Sequence, residues 1–135
     1  MGEPTQGPGY AVSSLEHMGD GPGFRKVRRE LGVTAFGINA IVLPNGYSTG
    51  THYHDQQEET YFVHQGQVEF RFGDGSRHVV GPGGIARVDA STHRGMSNVG
   101  DGQAVVLVAG GKDGYVGRDG QAVGADPRGG PPGGA

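Results

Sequence analysis

The sequence predicts an all-β domain: a double-sheet jelly-roll barrel preceded by a short helical or irregular segment. Three observations lead there. Glycine supplies 29 of 135 residues and proline 8, so the chain is cut at short intervals by residues that favour turns over helix interiors. Between the cuts lie runs of roughly four to eight residues, many of which alternate apolar with polar side chains, the period of a half-buried strand. No segment carries a sustained apolar stripe of helical period and helical length. Many short strands joined by glycine turns are most easily closed as two packed sheets.

Taken in order, residues 1–9 are Gly/Pro-rich and read as a flexible N-terminal arm, and residues 10–15 as a first strand on an edge or on a partner subunit. Residues 19–23 are a loop. Phe24, Val27 and Leu31 then recur at i, i+3 and i+7, which suits a turn of helix or irregular structure. The charges in this segment read as a solvated face, while Arg25, Arg28 and Arg29 could hold an acidic ligand if they line a pocket mouth. Residues 33–43 read as a core strand, with Phe36, Ile38, Ala40 and Val42 on one face and Ile41 and Leu43 on the other. Pro44, Asn45 and Gly46 punctuate the chain. Val68 to Phe72 alternates without exception, Gly73-Asp74-Gly75 is a hairpin signal, and Arg77 to Val80 is the returning strand, with His78 facing solvent. Two further strands lie at Ile85 to Val88 and Arg94 to Asn98. Residues 104–109 are apolar on both faces, as a buried sandwich strand should be. Residues 115–123 read as a last hairpin through Arg118-Asp119-Gly120. The folded domain is thus expected over residues 10–123, and the Gly/Pro-rich end, 124–135, is expected to be a mobile tail.

The chemistry concentrates between Gly46 and Gly66. In an extended segment successive side chains point to opposite faces, so His52 and His54 project together. Glu59 follows after a span long enough for a tight turn and opens a strand-favouring run that continues through Tyr61 and Val63 on its own face. Phe62 and His64 fall on the other face, which directs His64 away from the histidine pair. Two imidazoles and one carboxylate form the facial donor set of divalent transition metals, with positions left for water, substrate or oxygen. The chain has no cysteine, so such an ion has only nitrogen and oxygen ligands to draw on. Iron, manganese, zinc, nickel and copper all satisfy that description.

Gly46, five residues, His52-x-His54, four residues, Glu59, six residues and Gly66 together resemble the first motif of the cupin family. The resemblance implies a jelly-roll barrel, one divalent metal, a homodimer and a small organic ligand or substrate; small single-domain cupins most often resemble dioxygenases. The second motif of the family, whose histidine supplies a fourth ligand, is only partly present. Gly83 and Asn98 match it, but Asp89 stands at the proline, Ser91 at the glycine and Arg94 at the histidine. His93, one residue early, reaches the metal only if a bulge re-aims it, since a one-residue shift moves a side chain to the opposite face. With that bulge the ligand set is His52, His54, Glu59 and His93. If Arg94 faces inward instead, it cannot ligate. It then either pairs with Glu59, giving a metal-free binding barrel, or stands beside a three-ligand metal and grips an anionic substrate.

Together with the resemblance, which implies dioxygenase-like chemistry, these residues lead to the expectation of a metal-dependent enzyme acting on a small organic, in one reading anionic, substrate, with Tyr61, Arg94 and Asn98 as pocket residues. A non-catalytic small-molecule-binding cupin and an isomerase or cyclase, with Tyr61 moving protons, are the alternatives. The formal charge of −3 and pI near 6.0 provide no basic footprint for nucleic acid or for an anionic membrane. The first thirty residues hold no apolar run of signal-peptide length, and no stretch approaches about 18 consecutive apolar residues, so a soluble cytoplasmic protein is expected.

Overall fold

The computed structural model describes residues 3–124, and the rest of the stretch read as a tail lies outside them. Along the chain come β1 (Thr5–Gly7), β2 (Tyr10–Val12), a 3-10 turn (Leu15–Met18), β3 (Gly23–Arg25), α1 (Val27–Leu31), β4 (Gly37–Leu43), β5 (His52–His54) and β6 (Glu58–Gln65). They are followed by β7 (Val68–Phe72), β8 (Arg77–Val80), β9 (Ile85–Val88), β10 (Arg94–Asn98), β11 (Ala104–Gly111) and β12 (Gly120–Ala122). Two five-stranded antiparallel sheets, ordered β3-β4-β11-β6-β9 and β12-β5-β10-β7-β8, face each other as a jelly-roll barrel. Among the described residues no helix is long and apolar enough to cross a membrane.

The alternation read from the sequence decides what lies between the sheets. Ile41 and Leu43 of β4, Tyr61 and Val63 of β6, Val68 and Phe70 of β7, and Val106 and Val108 of β11 meet in one buried cluster. The opposite faces of β4 and β11 are apolar as well, because Ala40, Val42 and Val105 pack under α1, where Val27 joins them, flanked by Leu15, Met18 and Leu31. The central strands therefore bury both faces, and the N-terminal segment covers the outer one. Gly66 turns β6 into β7 with φ of 87° and lies so close to β11 that a Cβ there would sit 2.8 Å from the Ala104 Cβ. The position needs glycine for both conformation and space.

Several local expectations are changed by pairing between distant segments. Thr5–Gly7, inside the stretch read as an arm, pairs with Tyr10–Val12 as a small hairpin outside both barrel sheets. Phe24 and Arg25 belong to a strand that pairs with β4, and only Val27–Leu31 is helical, ending at Gly32 with φ of 73°. The ladder between β11 and β4 runs from Ala104 opposite Leu43 to Gly110 opposite Gly37, so residues 33–36 have no place in it and Phe36 is exposed. The final hairpin does not form: β12 instead pairs with β5, setting Gly120 opposite His54 and Ala122 opposite His52.

Candidate metal centre

β5 is short, and its neighbours fix its two histidines. Arg94 of β10 lies directly opposite His52, and directly opposed residues share a face of the sheet. His52, His54 and Arg94 therefore all turn inward, while Tyr53 and His93 turn outward. The two outward rings stack at 5.0 Å, with planes 15° apart. This corrects His93 as a metal ligand: it is exposed, stacked on Tyr53, and does not join the group of converging donors among the described residues. Asn98 is likewise not a cavity residue. Its Nδ2 donates to the carbonyls of Leu43, Pro44 and Gly102, and its Oδ1 accepts from the Gly100 N–H, so it clamps two turns together. His64 is exposed on the outer face of β6.

His52, His54 and Glu59 come together with one donor atom each, all within 4.8 Å of one another. Their rings and carboxylate enter from β5 and the start of β6. Room for Glu59 comes from Gly110 opposite it on β11, where a Cβ would fall 3.1 Å from Glu59 Cγ. Glu59 and His54 are each 1% exposed.

Asp119, just before β12, is the residue that sequence reasoning missed. It is 65 positions from His54, yet the Gly120–His54 pairing brings its carboxylate within 2.7 Å of His54 Nδ1. The same carboxylate accepts the backbone N–H groups of Gln56 and Gln57 and the Gln57 side-chain amide. A carboxylate accepting from Nδ1 fixes the imidazole tautomer and leaves Nε2 as the coordinating atom, the usual support of a metal-bound histidine. The only local hint was an aspartate in a glycine turn, which is common to loops without chemistry.

Arg94, 1% exposed, is anchored at every nitrogen: Nη1 donates to the carbonyls of Asp89, Ala90 and Thr92, Nε to the Tyr61 hydroxyl, and Nη2 to Glu59 Oε1 at 2.9 Å. Tyr61 donates to the same Oε1 at 2.6 Å, and His54 Nε2 lies 3.2 Å from it. Burial alone would push the Glu59 carboxyl up, but His54, Tyr61 and Arg94 outweigh it and hold it at about 2. Burial opposes the charged form of His54, and the Glu59 and Asp119 carboxylates more than offset that, raising it above its ordinary value. Burial first, then the Glu59 charge, drives the Tyr61 phenol far up, so it keeps its proton and serves as a donor.

The donor set fits a divalent ion: one buried and one half-buried imidazole and a carboxylate kept ionised, with the buried imidazole already oriented from behind. Arg94 occupies the place a fourth ligand would take, and its positive charge weakens the site for a cation relative to a four-ligand centre. His52, Glu59, Tyr61 and Arg94 form the polar end of a cavity of about 220 Å³ whose other walls include Phe24, Ile41, Met96 and Val108.

A family model described as "Cupin domain" matches residues 39–110. No curated protein matches the sequence. Among solved structures, a sugar phosphate isomerase of the cupin superfamily from Silicibacter pomeroyi is 27% identical with a TM-score of 0.60, over 66% of this chain and 58% of that one. A cupin protein from Bacteroides fragilis is 23% identical with a TM-score of 0.66, over 78% of this chain and 86% of the other. A double-stranded β-helix protein from Klebsiella pneumoniae is 16% identical with a TM-score of 0.70, over 84% and 97% of the two chains. The chain thus spans well under two thirds of the isomerase, and the other two share its fold.

Proposed function

The chain belongs to the cupin family, and we propose that it is a metal-dependent enzyme, dioxygenase-like in chemistry, acting on a small and largely apolar organic molecule. The observation that supports the reading is the His52, His54 and Glu59 group, of which His52 and Glu59 line the polar end of a mainly apolar cavity. A divalent ion bound there would supply Lewis acidity and open positions for oxygen or a substrate oxygen. The protein's own residues would divide the remaining work. Asp119 holds His54 in its tautomer, Arg94 and Tyr61 keep Glu59 ionised and stationary, and Phe24, Ile41, Met96 and Val108 exclude water and receive the substrate's apolar part. A cavity of about 220 Å³ is below the usual range for drug-sized ligands and suits a compact substrate.

An anionic substrate gripped by Arg94 loses support, since the guanidinium is already tied to three carbonyls, Tyr61 and Glu59. The same apolar walls argue against a sugar phosphate in this cavity, whatever the isomerase neighbour binds. The second reading is a metal-free binding barrel, and the Arg94–Glu59 pair at 2.9 Å is what favours it. A homodimer completes the proposal on the family resemblance alone.

Elemental analysis of protein purified without added metal, for the wild type, His52→Ala and His93→Ala, separates these readings. The enzyme reading expects about one ion per chain in the wild type and in His93→Ala, and none in His52→Ala. Oxygen consumption would then be assayed with small apolar substrates. A wild type that stays empty after loading with Fe(II), Mn(II) or Zn(II) would overturn the metal site and leave the binding barrel.

A further inference from the structure

A second concavity, of about 460 Å³, shares no lining residue with the barrel cavity. Lys26, Arg28, Arg29 and Arg118 converge on it, with Gln57 and Tyr115 in its wall. Three of the cations come from the segment around α1 and the fourth from the loop before β12, so the fold gathers them from opposite ends of the sequence. In a chain whose formal charge is −3, this local concentration of one sign runs against the overall balance. Among the described residues none of the four is in an ion pair. Asp119, the chain neighbour of Arg118, is committed to His54 and to Gln56 and Gln57.

Grouping unneutralised cations is unfavourable without a counter-charge. The effect is visible on Lys26, whose ammonium is held below its ordinary value by burial and then by Arg118 and Arg29. The Arg28 guanidinium is fixed against the Tyr115 ring, 4.0 Å from its centroid, which sets the plane of a fork suited to phosphoryl oxygens. Gln57 is 1% exposed; its Nε2 donates to Asp119, while its buried Oε1 has no hydrogen-bond partner among the described residues. Arg25, which the sequence grouped with Arg28 and Arg29, does not take part: it is buried and donates to the Gly21 carbonyl.

We propose that this concavity is a binding site for a phosphoryl group, free or carried as a small monoester, distinct from the metal centre and its cavity. The four cations hold the charge, and the Tyr115 ring keeps the Arg28 fork in place. The proposal does not depend on the metal reading.

Calorimetric titration of metal-free protein at low ionic strength, with inorganic phosphate and separately with glycerol phosphate, tests it. Saturable binding of one anion per chain is expected, weakened about tenfold or more in each of Arg29→Gln and Arg118→Gln, and unchanged in His52→Ala. Tighter binding of glycerol phosphate assigns the site to an ester, and equal or weaker binding assigns it to free phosphate. The two arginine side chains are exposed, so either variant alone suffices should the other misfold. No saturable binding, an equal response to chloride at matched ionic strength, or binding indifferent to both arginines would overturn the proposal. Loss of binding in His52→Ala would move the anion to the metal centre and overturn it as well.

Discussion

Replacing Asp119 with asparagine keeps the size of the side chain and removes half of its accepting capacity, which makes it the sharpest probe of how His54 is held. The carboxylate takes four hydrogen bonds: from His54 Nδ1 at 2.7 Å, Gln57 Nε2 at 2.6 Å, and the N–H groups of Gln56 and Gln57 at 2.8 and 3.0 Å. An amide offers one accepting oxygen and one donating nitrogen. If its oxygen stays on the two backbone N–H groups, its amino group faces Nδ1 and forces the imidazole proton onto Nε2, the atom a metal would use. If it turns over, both backbone donors lose their acceptor. Either orientation loses two charge-assisted bonds at roughly 1.5–3 kcal/mol each, so the variant should lose about 3–6 kcal/mol of stability. Loss of an outer support of this kind should cost about 10–100-fold in metal affinity. Competition with a chromophoric chelator measures the affinity, and nitrogen-15 spectra of His54 report the tautomer. A folded variant that binds metal within about twofold of the wild type, with Nε2 still unprotonated, would refute the supporting role of Asp119.

Glu59→Gln removes the charge facing a guanidinium that is 1% exposed. Breaking a buried pair from one side costs roughly 3–5 kcal/mol, so urea melts of the metal-free protein should shift accordingly; a loss under about 1 kcal/mol would mean that the carbonyls holding Arg94 suffice without the pair. The metal-free protein should also show opposed pH effects. Glu59 is lowered from 4.5 to about 2, so its contribution is present above pH 4.5 and fades as pH falls towards 2; His54 is raised above 6.5, so its contribution is full below 6.5 and fades as pH rises through its folded value. Thermal melts across that range should be highest between the two limits, and a melt that rises steadily from neutral to alkaline pH would contradict the His54 assignment. Metal binding must displace the His54 proton, so calorimetry at neutral pH in buffers of different ionisation enthalpy should show proton release; no buffer dependence would exclude it. Gly66→Ala meets both a positive φ and an Ala104 Cβ 2.8 Å away, and should destabilise by roughly 2–4 kcal/mol in the same urea melts, where a change under 1 would show that the turn can relax.

The alternation of residues 58–65 and 68–72 and the apolar runs read over 33–43 and 104–109 marked four strands without help, because the pleat sends alternate side chains to opposite faces whatever the partner strand; in the last two, apolar on both faces, packing decided which face meets the other sheet. The spacing of His52, His54 and Glu59 is local in the same sense: a short strand and a tight turn suffice to bring three donors together. The choice between His93 and Arg94 was not local. Neither residue is apolar, so no hydrophobic preference says which faces the core, and the decision belongs to the register that sets Arg94 opposite His52. Asp119 and Asn98 were opaque for a related reason, since each acts on atoms supplied by segments far along the chain. The strand at Gly120–Ala122 had a plausible hairpin partner in sequence and a better one on the exposed edge of β5. Sequence alone thus determined the barrel and the three-donor group. Which cation closes that group, which carboxylate supports it from behind, and where four further cations meet were decided by pairing between distant strands, whose energy depends on partners that no local pattern records.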